Sequence, residues 1–192
     1  MKLAHLLIPG FCALAVAACA TNDDAVAADQ SDPGPPAAVS TIGPPRLTAD
    51  LRDAGGRTRA RATAETSGDS LRVRVEAVAM SPGAYGAHLH TTGRCDPPGF
   101  ETAGPHWNPT NQMHGKDNPK GMHKGDLPNL VVGTDGRGSF EYTIPNAGLS
   151  GMLPTSLIDG DGAAVVIHAA PDDFRTDPSG KSGARIACGV LG

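Results

Sequence analysis

From Arg46 onward the chain alternates apolar and polar residues. Leu47, Ala49 and Leu51 are separated by Thr48 and Asp50, and Ala60, Ala62 and Ala64 by Arg61 and Thr63. Leu71, Val73, Val75 and Ala77 are separated by Arg72, Arg74 and Glu76. A period of two puts alternate side chains on opposite faces of a strand, and Gly55-Gly56 and Gly68-Asp69 supply turns between the runs. The pattern predicts three half-buried antiparallel strands with a solvated, charged outer face. Residues 84–90 read as a fourth strand after Ser81-Pro82-Gly83. Residues 130–134 and 139–144 flank Asp135-Gly136-Arg137-Gly138, a hairpin signal. Residues 163–168 are apolar enough for burial on both faces, and residues 185–191 form the last strand. Short strands, Gly 25 and Pro 17, and no long 3.6-residue apolar stripe predict an all-β fold. The expected architecture is an eight-stranded antiparallel Greek-key barrel or sandwich with long loops.

Residues 21–45 break the pattern. They are rich in Ala, Asp, Pro and Ser, with almost no large apolar side chains, and read as a tether that buries nothing. Before them, Lys2 and the apolar residues 6–16 have the form of an export signal, too short to span a bilayer comfortably. Val16-Ala17-Ala18-Cys19 resembles the lipobox of bacterial lipoproteins, in which Cys19 is lipidated and becomes the N-terminus. The expected layout is a lipoprotein signal peptide at 1–18, a flexible tether at 19–45 and one domain at 46–192. The expected location is periplasmic or at the cell surface, anchored to a membrane. Cys12 leaves with the leader and Cys19 takes lipid. Cys95 and Cys188 then read as one disulfide in an oxidising compartment, closing a loop of about 90 residues and contributing about 4 kcal/mol. The net charge of −4 comes with no basic cluster interleaved with aromatics, so nucleic acid is not an expected partner.

The histidines change the picture most. Of seven, His5 lies in the leader. Five of the other six, His88, His90, His106, His114 and His123, fall within residues 86–126, and His168 is the sixth. Imidazole is the commonest side-chain metal ligand. His88 and His90, two apart on a strand, share a face and can reach one ion. His168 ends another strand and can join them. His106 follows the bend at Gly104-Pro105, and His114, His123 and Asp126 make a second group. An all-nitrogen set suits copper; imidazoles with a carboxylate and no sulfur suit zinc. Six histidines and one aspartate give seven ligands. Two four-coordinate sites need eight, unless one imidazole bridges both ions.

GAHLH, AGPHWNP, His114-Gly115, HKGDL, VVIH and GARIACGVLG, in this order, resemble copper/zinc superoxide dismutases of the bacterial exported kind. The similarity covers residues 47–192. It implies a copper site of His88, His90, His106 and His168, and a zinc site of His106, His114, His123 and Asp126. His106 would be the bridging imidazolate. It also implies a disulfide between Cys95 and Cys188, Arg185 beside copper as the anion-binding catalytic residue, and Asp172 hydrogen-bonded to one ligand of each metal. The implied substrate is superoxide, converted to dioxygen and hydrogen peroxide to protect the extracytoplasmic space, and a homodimer is a possible assembly. Ala87 departs from the bulkier aromatic frequent in the family, a gap that Tyr85 or Trp107 would fill. The short loop between His168 and Arg185 lacks some basic guide residues, with Lys181 as a possible substitute. The rival readings are a non-catalytic metal-delivery module, which tends to lose copper ligands or the arginine, and a zinc hydrolase, for which no glutamate base sits among the ligands.

Overall fold

A computed structural model describes residues 45–151 and 153–192. The expected signal peptide, Cys19 and the expected tether up to residue 44 lie outside the described residues. Among the described residues nine strands follow in order: β1 Arg46–Arg52, β2 Thr58–Ser67, β3 Ser70–Ala77, β4 Gly83–Tyr85, β5 Ala87–His90, β6 Leu130–Val132, β7 Gly138–Pro145, β8 Ala164–His168 and β9 Arg185–Val190. A single 3-10 turn, Glu101–Ala103, stands among them. Seven strands form one antiparallel sheet in the order β5-β8-β9-β1-β2-β3-β7, and β4 pairs with β6. The all-β antiparallel architecture expected from the alternation is present.

Register follows the sequence pattern. Leu47, Ala49 and Leu51 oppose Ala64, Ala62 and Ala60, and Ala62 and Ala64 oppose Val75 and Val73. Leu71, Val73 and Val75 then face Ile144, Tyr142 and Phe140 on β7. These residues share one apolar core with Leu89, Trp107, Leu127, Val165 and Ile167. On the outer face opposite charges meet across strands: Arg61 lies 3.1 Å from Asp50 and Arg72 3.3 Å from Glu65. Exposed pairs of this kind add little stability, but a one-residue slip would bring their charges to the wrong face.

Two expectations are corrected. The run at 84–90 is not one strand: β4 pairs with β6 while β5 pairs with β8. The break falls at Gly86, whose amide donates to the Ala170 carbonyl and whose carbonyl accepts from His168. The chain changes partner there. The turn at 133–137 closes as expected through the Gly133 N–H to the Arg137 carbonyl. Its arms, however, belong to different ladders, β6 with β4 and β7 with β3.

β5 and β8 are buried along their whole length. Ala87 and Leu89 turn to the main core, and Ala87 packs there in the same cluster as Trp107 and partly buried Tyr85. Their alternates His88 and His90 turn to the opposite side. A long loop covers that side, and beneath it Phe100, Ala103, Ala164, Val166 and Cys188 make a second small core. The disulfide Cys95–Cys188, with Cα atoms 5.7 Å apart, fastens the loop to β9 across 93 residues.

Candidate metal centre

The free edge of β5 assembles the centre. Two loop segments cap it by main-chain hydrogen bonds. Trp107 donates to the Leu89 carbonyl at 2.8 Å, Leu89 to Gly125 at 2.9 Å, and Gly125 back to Trp107 at 2.8 Å. Thr91 donates to Pro105 and Leu127 to Ala87 on either side. This closed ring of peptides sets His106, His123 and Asp126 beside His88 and His90, because each ring member neighbours one of those residues in sequence. Gly125 is required there, since a Cβ would collide with the Leu89 carbonyl. On the opposite edge of β5, β8 ends at His168, which a register shift places directly across from Arg185 on β9.

One ligand atom from each of His88, His90, His106 and His168 lies within 4.8 Å of the others, and so does one from each of His88, His106, His114 and Asp126. All six of these residues are buried, and so is His123. His106 belongs to both groups, with its ring 3.9 Å from that of His88. The second group differs from the expected set in counting His88 and not His123. The His123 ring nevertheless reaches the same carboxylate: Nδ1 of His106, His114 and His123 lie 3.0, 3.0 and 3.1 Å from Asp126 Oδ1. Asp126 Oδ2 accepts from the main-chain N–H of Gly115 at 2.8 Å and of His123 at 3.0 Å, which holds the carboxylate still.

Each ring is oriented by an acceptor on its far side. His88 Nε2 donates to Asp172 Oδ2 at 2.8 Å, and His114 Nε2 to Asp172 Oδ1 at 3.0 Å. His90 Nδ1 donates to the Gly104 carbonyl at 2.8 Å and His168 Nδ1 to the Gly183 carbonyl at 3.1 Å. Such bonds fix the tautomer and leave the other nitrogen as a bare lone pair. On His88, His90 and His168 those nitrogens, Nδ1, Nε2 and Nε2, are buried with no hydrogen-bond partner. His114 Nδ1 instead faces Asp126 Oδ1 at 3.0 Å. A buried acceptor without a partner is costly, and three in one small volume are accounted for by a cation that completes them. A nitrogen-only group beside a group that includes a carboxylate, with no sulfur, fits copper and zinc.

Electrostatics separates the two groups. In the metal-free chain, burial lowers His88 to about 3 against the pull of Asp172. Burial likewise lowers His168 to about 4 and holds His90 well below its ordinary value. His106 is lowered for the same reason, with Asp126 opposing. His114 goes the other way. Burial still pushes it down, but Asp126 and Asp172 together outweigh that and raise it to about 9. Burial alone would raise both aspartates. The histidines around Asp126, with the Gly115 N–H, and the His114 and His88 bonds to Asp172 win, so both carboxyls are held far below the usual range.

A cavity of about 700 Å³ opens beside the first group, with His106, His168, Trp107, Ser179 and Arg185 in its lining. Among the described residues Arg185 is the one arginine or lysine there; Lys181, expected as a guide, does not line it. Half-buried Arg185 donates Nη1 to the Phe100 carbonyl and Nη2 to the Gly104 carbonyl, each at 2.8 Å. The second acceptor is the carbonyl that also orients His90. The sequence reading missed these main-chain acceptors. It also missed Asn129, whose side chain clamps Asp172 by accepting from its N–H at 2.8 Å and donating to its carbonyl at 3.0 Å.

Fold and site together define an all-β protein with two overlapping groups of buried side chains suited to hold metal ions. A family model described as copper/zinc superoxide dismutase (SODC) matches residues 56–191. Among curated proteins, the superoxide dismutase-like protein YojM of Bacillus subtilis is 44% identical over 128 residues, 66% of this chain and 65% of that protein. This chain thus spans just under two thirds of YojM. Superoxide dismutase [Cu-Zn] 1 of Aquifex aeolicus is 38% identical over 144 residues, 74% of this chain and 85% of that protein. A solved structure of an SOD-like protein from Bacillus subtilis aligns with TM-score 0.71 and 38% identity, covering 75% of this chain and 97% of that one. The chain belongs to the copper/zinc superoxide dismutase family, whose metals are copper and zinc and whose substrate is superoxide.

Proposed function

We propose that this chain is an exported, lipid-anchored dismutase that protects the extracytoplasmic space from superoxide. In this reading His88, His90, His106 and His168 hold copper, and His106, His114, His123 and Asp126 hold zinc. The carrying observation is the set of three buried ring nitrogens, on His88, His90 and His168, left without partners by bonds on their far sides, next to one carboxylate that three imidazoles face. Copper, when bound, supplies the redox couple that oxidises one superoxide to dioxygen and reduces the next, with two protons, to hydrogen peroxide. The chain does the rest. Arg185 offers fixed positive charge at the cavity lining beside His168, where a small anion is drawn and held. His106 has Nδ1 turned to Asp126, and its Nε2, when not engaged by a metal, would hold a proton and deliver it to the reduced product. Zinc is redox-inert and would keep His106 placed.

Export is supported by the leader residues and by a disulfide of the sort that persists in oxidising compartments. Element-specific metal analysis and a superoxide assay on the same sample test the activity. Copper and zinc in equal amounts with rapid superoxide-dependent turnover is the expected result; both metals bound with no turnover would make the chain a metal-binding module. Cys19→Ser should release the protein from membranes, and continued association would refute the anchor.

A further inference from the structure

The zinc-side group leans on a second loop, from near the other end of the chain. Residues 114–118 run along residues 172–177. Asp117 donates its N–H to the Phe174 carbonyl at 2.9 Å, and Asn118 Nδ2 reaches the Arg175 carbonyl at 3.4 Å. The Lys116 ammonium lies 4.5 Å above the Phe174 ring. Gly115, at φ 94°, brings the two backbones so close that a Cβ there would overlap the Phe174 carbonyl. At His114 the second loop contributes two carboxylates. Asp172 takes the side chain through Nε2. Asp177, 63 residues away in sequence, takes the peptide: its Oδ1 accepts the His114 main-chain N–H at 2.7 Å. One carboxylate sets the tautomer of the ring and the other fixes the backbone from which the ring hangs.

Asp177 has a second connection. The residues that follow it, Pro178 and Ser179, line the cavity beside the copper-side histidines. A short stretch of chain therefore joins the backbone of a zinc-side residue to the wall of the cavity that superoxide enters. We propose that Asp177 is a positioning residue: it holds His114 in place for the zinc half-site from the opposite loop and keeps the cavity wall in register with that half-site. The inference rests on the reading of His114 as a zinc ligand. A hydrogen bond to an ionised acceptor is about twice as strong as a neutral one. Its removal leaves the His114 N–H free to seek another partner, and the peptide to rotate.

The test is zinc affinity by competition with a chromophoric chelator, with the visible spectrum of Co(II) placed in the zinc half-site. Four full-length chains are compared: the native protein, Asp177→Ala, Asp177→Asn and Asp173→Ala. Asp173 is the control. It accepts from the N–H groups of Arg175 and Thr176 in the same loop and does not touch His114. Asp177→Ala should weaken zinc binding about 10- to 100-fold and alter the cobalt spectrum, with copper affinity unchanged. Asp177→Asn, whose amide oxygen still accepts the bond, should recover most of the affinity and the native spectrum. Asp173→Ala should bind zinc as the native chain does. Native zinc affinity in Asp177→Ala would overturn the proposal, as would equal losses in Asp173→Ala, or an Asn variant no better than Ala. Unchanged zinc binding in His114→Ala would instead overturn the ligand reading, so the two failures are distinct.

Discussion

On one side of His106, the rings of His88, His90 and His168 are sealed from water and kept neutral, each with a lone pair turned inward. On the other, His114 lies between Asp126 and Asp172 and holds its proton up to about 9. The same side chain is thus prepared in two ways. Burial does the work on the copper side: desolvation penalises the charged imidazolium, and main-chain carbonyls or Asp172 choose the tautomer. Carboxylates do it on the zinc side, where ionised Asp126 and Asp172 hold the His114 proton until a cation displaces it. His106 is touched by both environments. The difference predicts separate proton linkages for the two metals and a shared dependence on the residues that span the divide.

His106→Ala removes the ring proposed to serve both metals and should have the largest effect. Copper and zinc contents should both fall, and dismutation should be lost. Loss of copper with full zinc occupancy, by element-specific analysis, would mean that the halves do not share a ligand.

The proton linkage comes next in size. Zinc must displace the His114 proton below about pH 9, so zinc affinity should rise by up to about tenfold per pH unit from near neutrality to pH 9, then level off. The sign is fixed: a raised pKa keeps the competing proton bound until the pH passes it. His88 and His168, at about 3 and 4, carry no proton at neutral pH. Copper affinity should therefore stay flat down to about pH 4 and fall below it. Parallel titration curves for the two metals would show that the halves are not electrostatically distinct.

How far this arrangement can be read from the chain depends on the kind of group involved. The β1 to β3 strands were legible because alternation is a local, one-dimensional signal. His88-x-His90 was legible for the same reason, and the need for a shared ligand followed from counting donors. Asp172 came from the family resemblance. The partner change at Gly86, the splayed arms of the 133–137 turn and the 3-10 turn at Glu101–Ala103 were not legible, because strand pairing is a tertiary choice. Least visible were the Gly104 and Gly183 carbonyls. Every residue has a carbonyl, so no residue type marks the one that orients a histidine. Asn129 and Asp177 carry ordinary turn-forming side chains, and only the fold brings them to Asp172 and His114.

Asp172→Ala strikes the residue that joins the halves through side-chain bonds alone. It frees His88 Nε2 and His114 Nε2 at once, so affinity for each metal should drop about 10- to 100-fold. Asp172→Asn keeps an acceptor but not the charge. At neutral pH it should therefore hold the zinc side better than the copper side, because His114, which the carboxylate raises, then gives up its competing proton more easily. Equal losses in both metals for the Asn variant would indicate that Asp172 acts only through geometry.

Arg185 belongs to the copper side twice over, as the one arginine or lysine in the cavity lining among the described residues and as a brace on the Gly104 carbonyl that orients His90. The two roles separate by substitution. Arg185→Lys retains the charge but not the fork that reaches Phe100 and Gly104 together. Arg185→Ala loses both. If charge dominates, the Ala variant should lose about tenfold or more in kcat/KM at low ionic strength, the Lys variant much less, and the gap should narrow with added salt as the field is screened. If bracing dominates, both variants should instead loosen His90. Copper affinity would then fall in each while the salt dependence of the rate stayed as it is in the native chain. The half-buried guanidinium, held at 2.8 Å by two carbonyls, favours a rate effect read through charge, because those bonds preset the direction in which its remaining donors face the cavity.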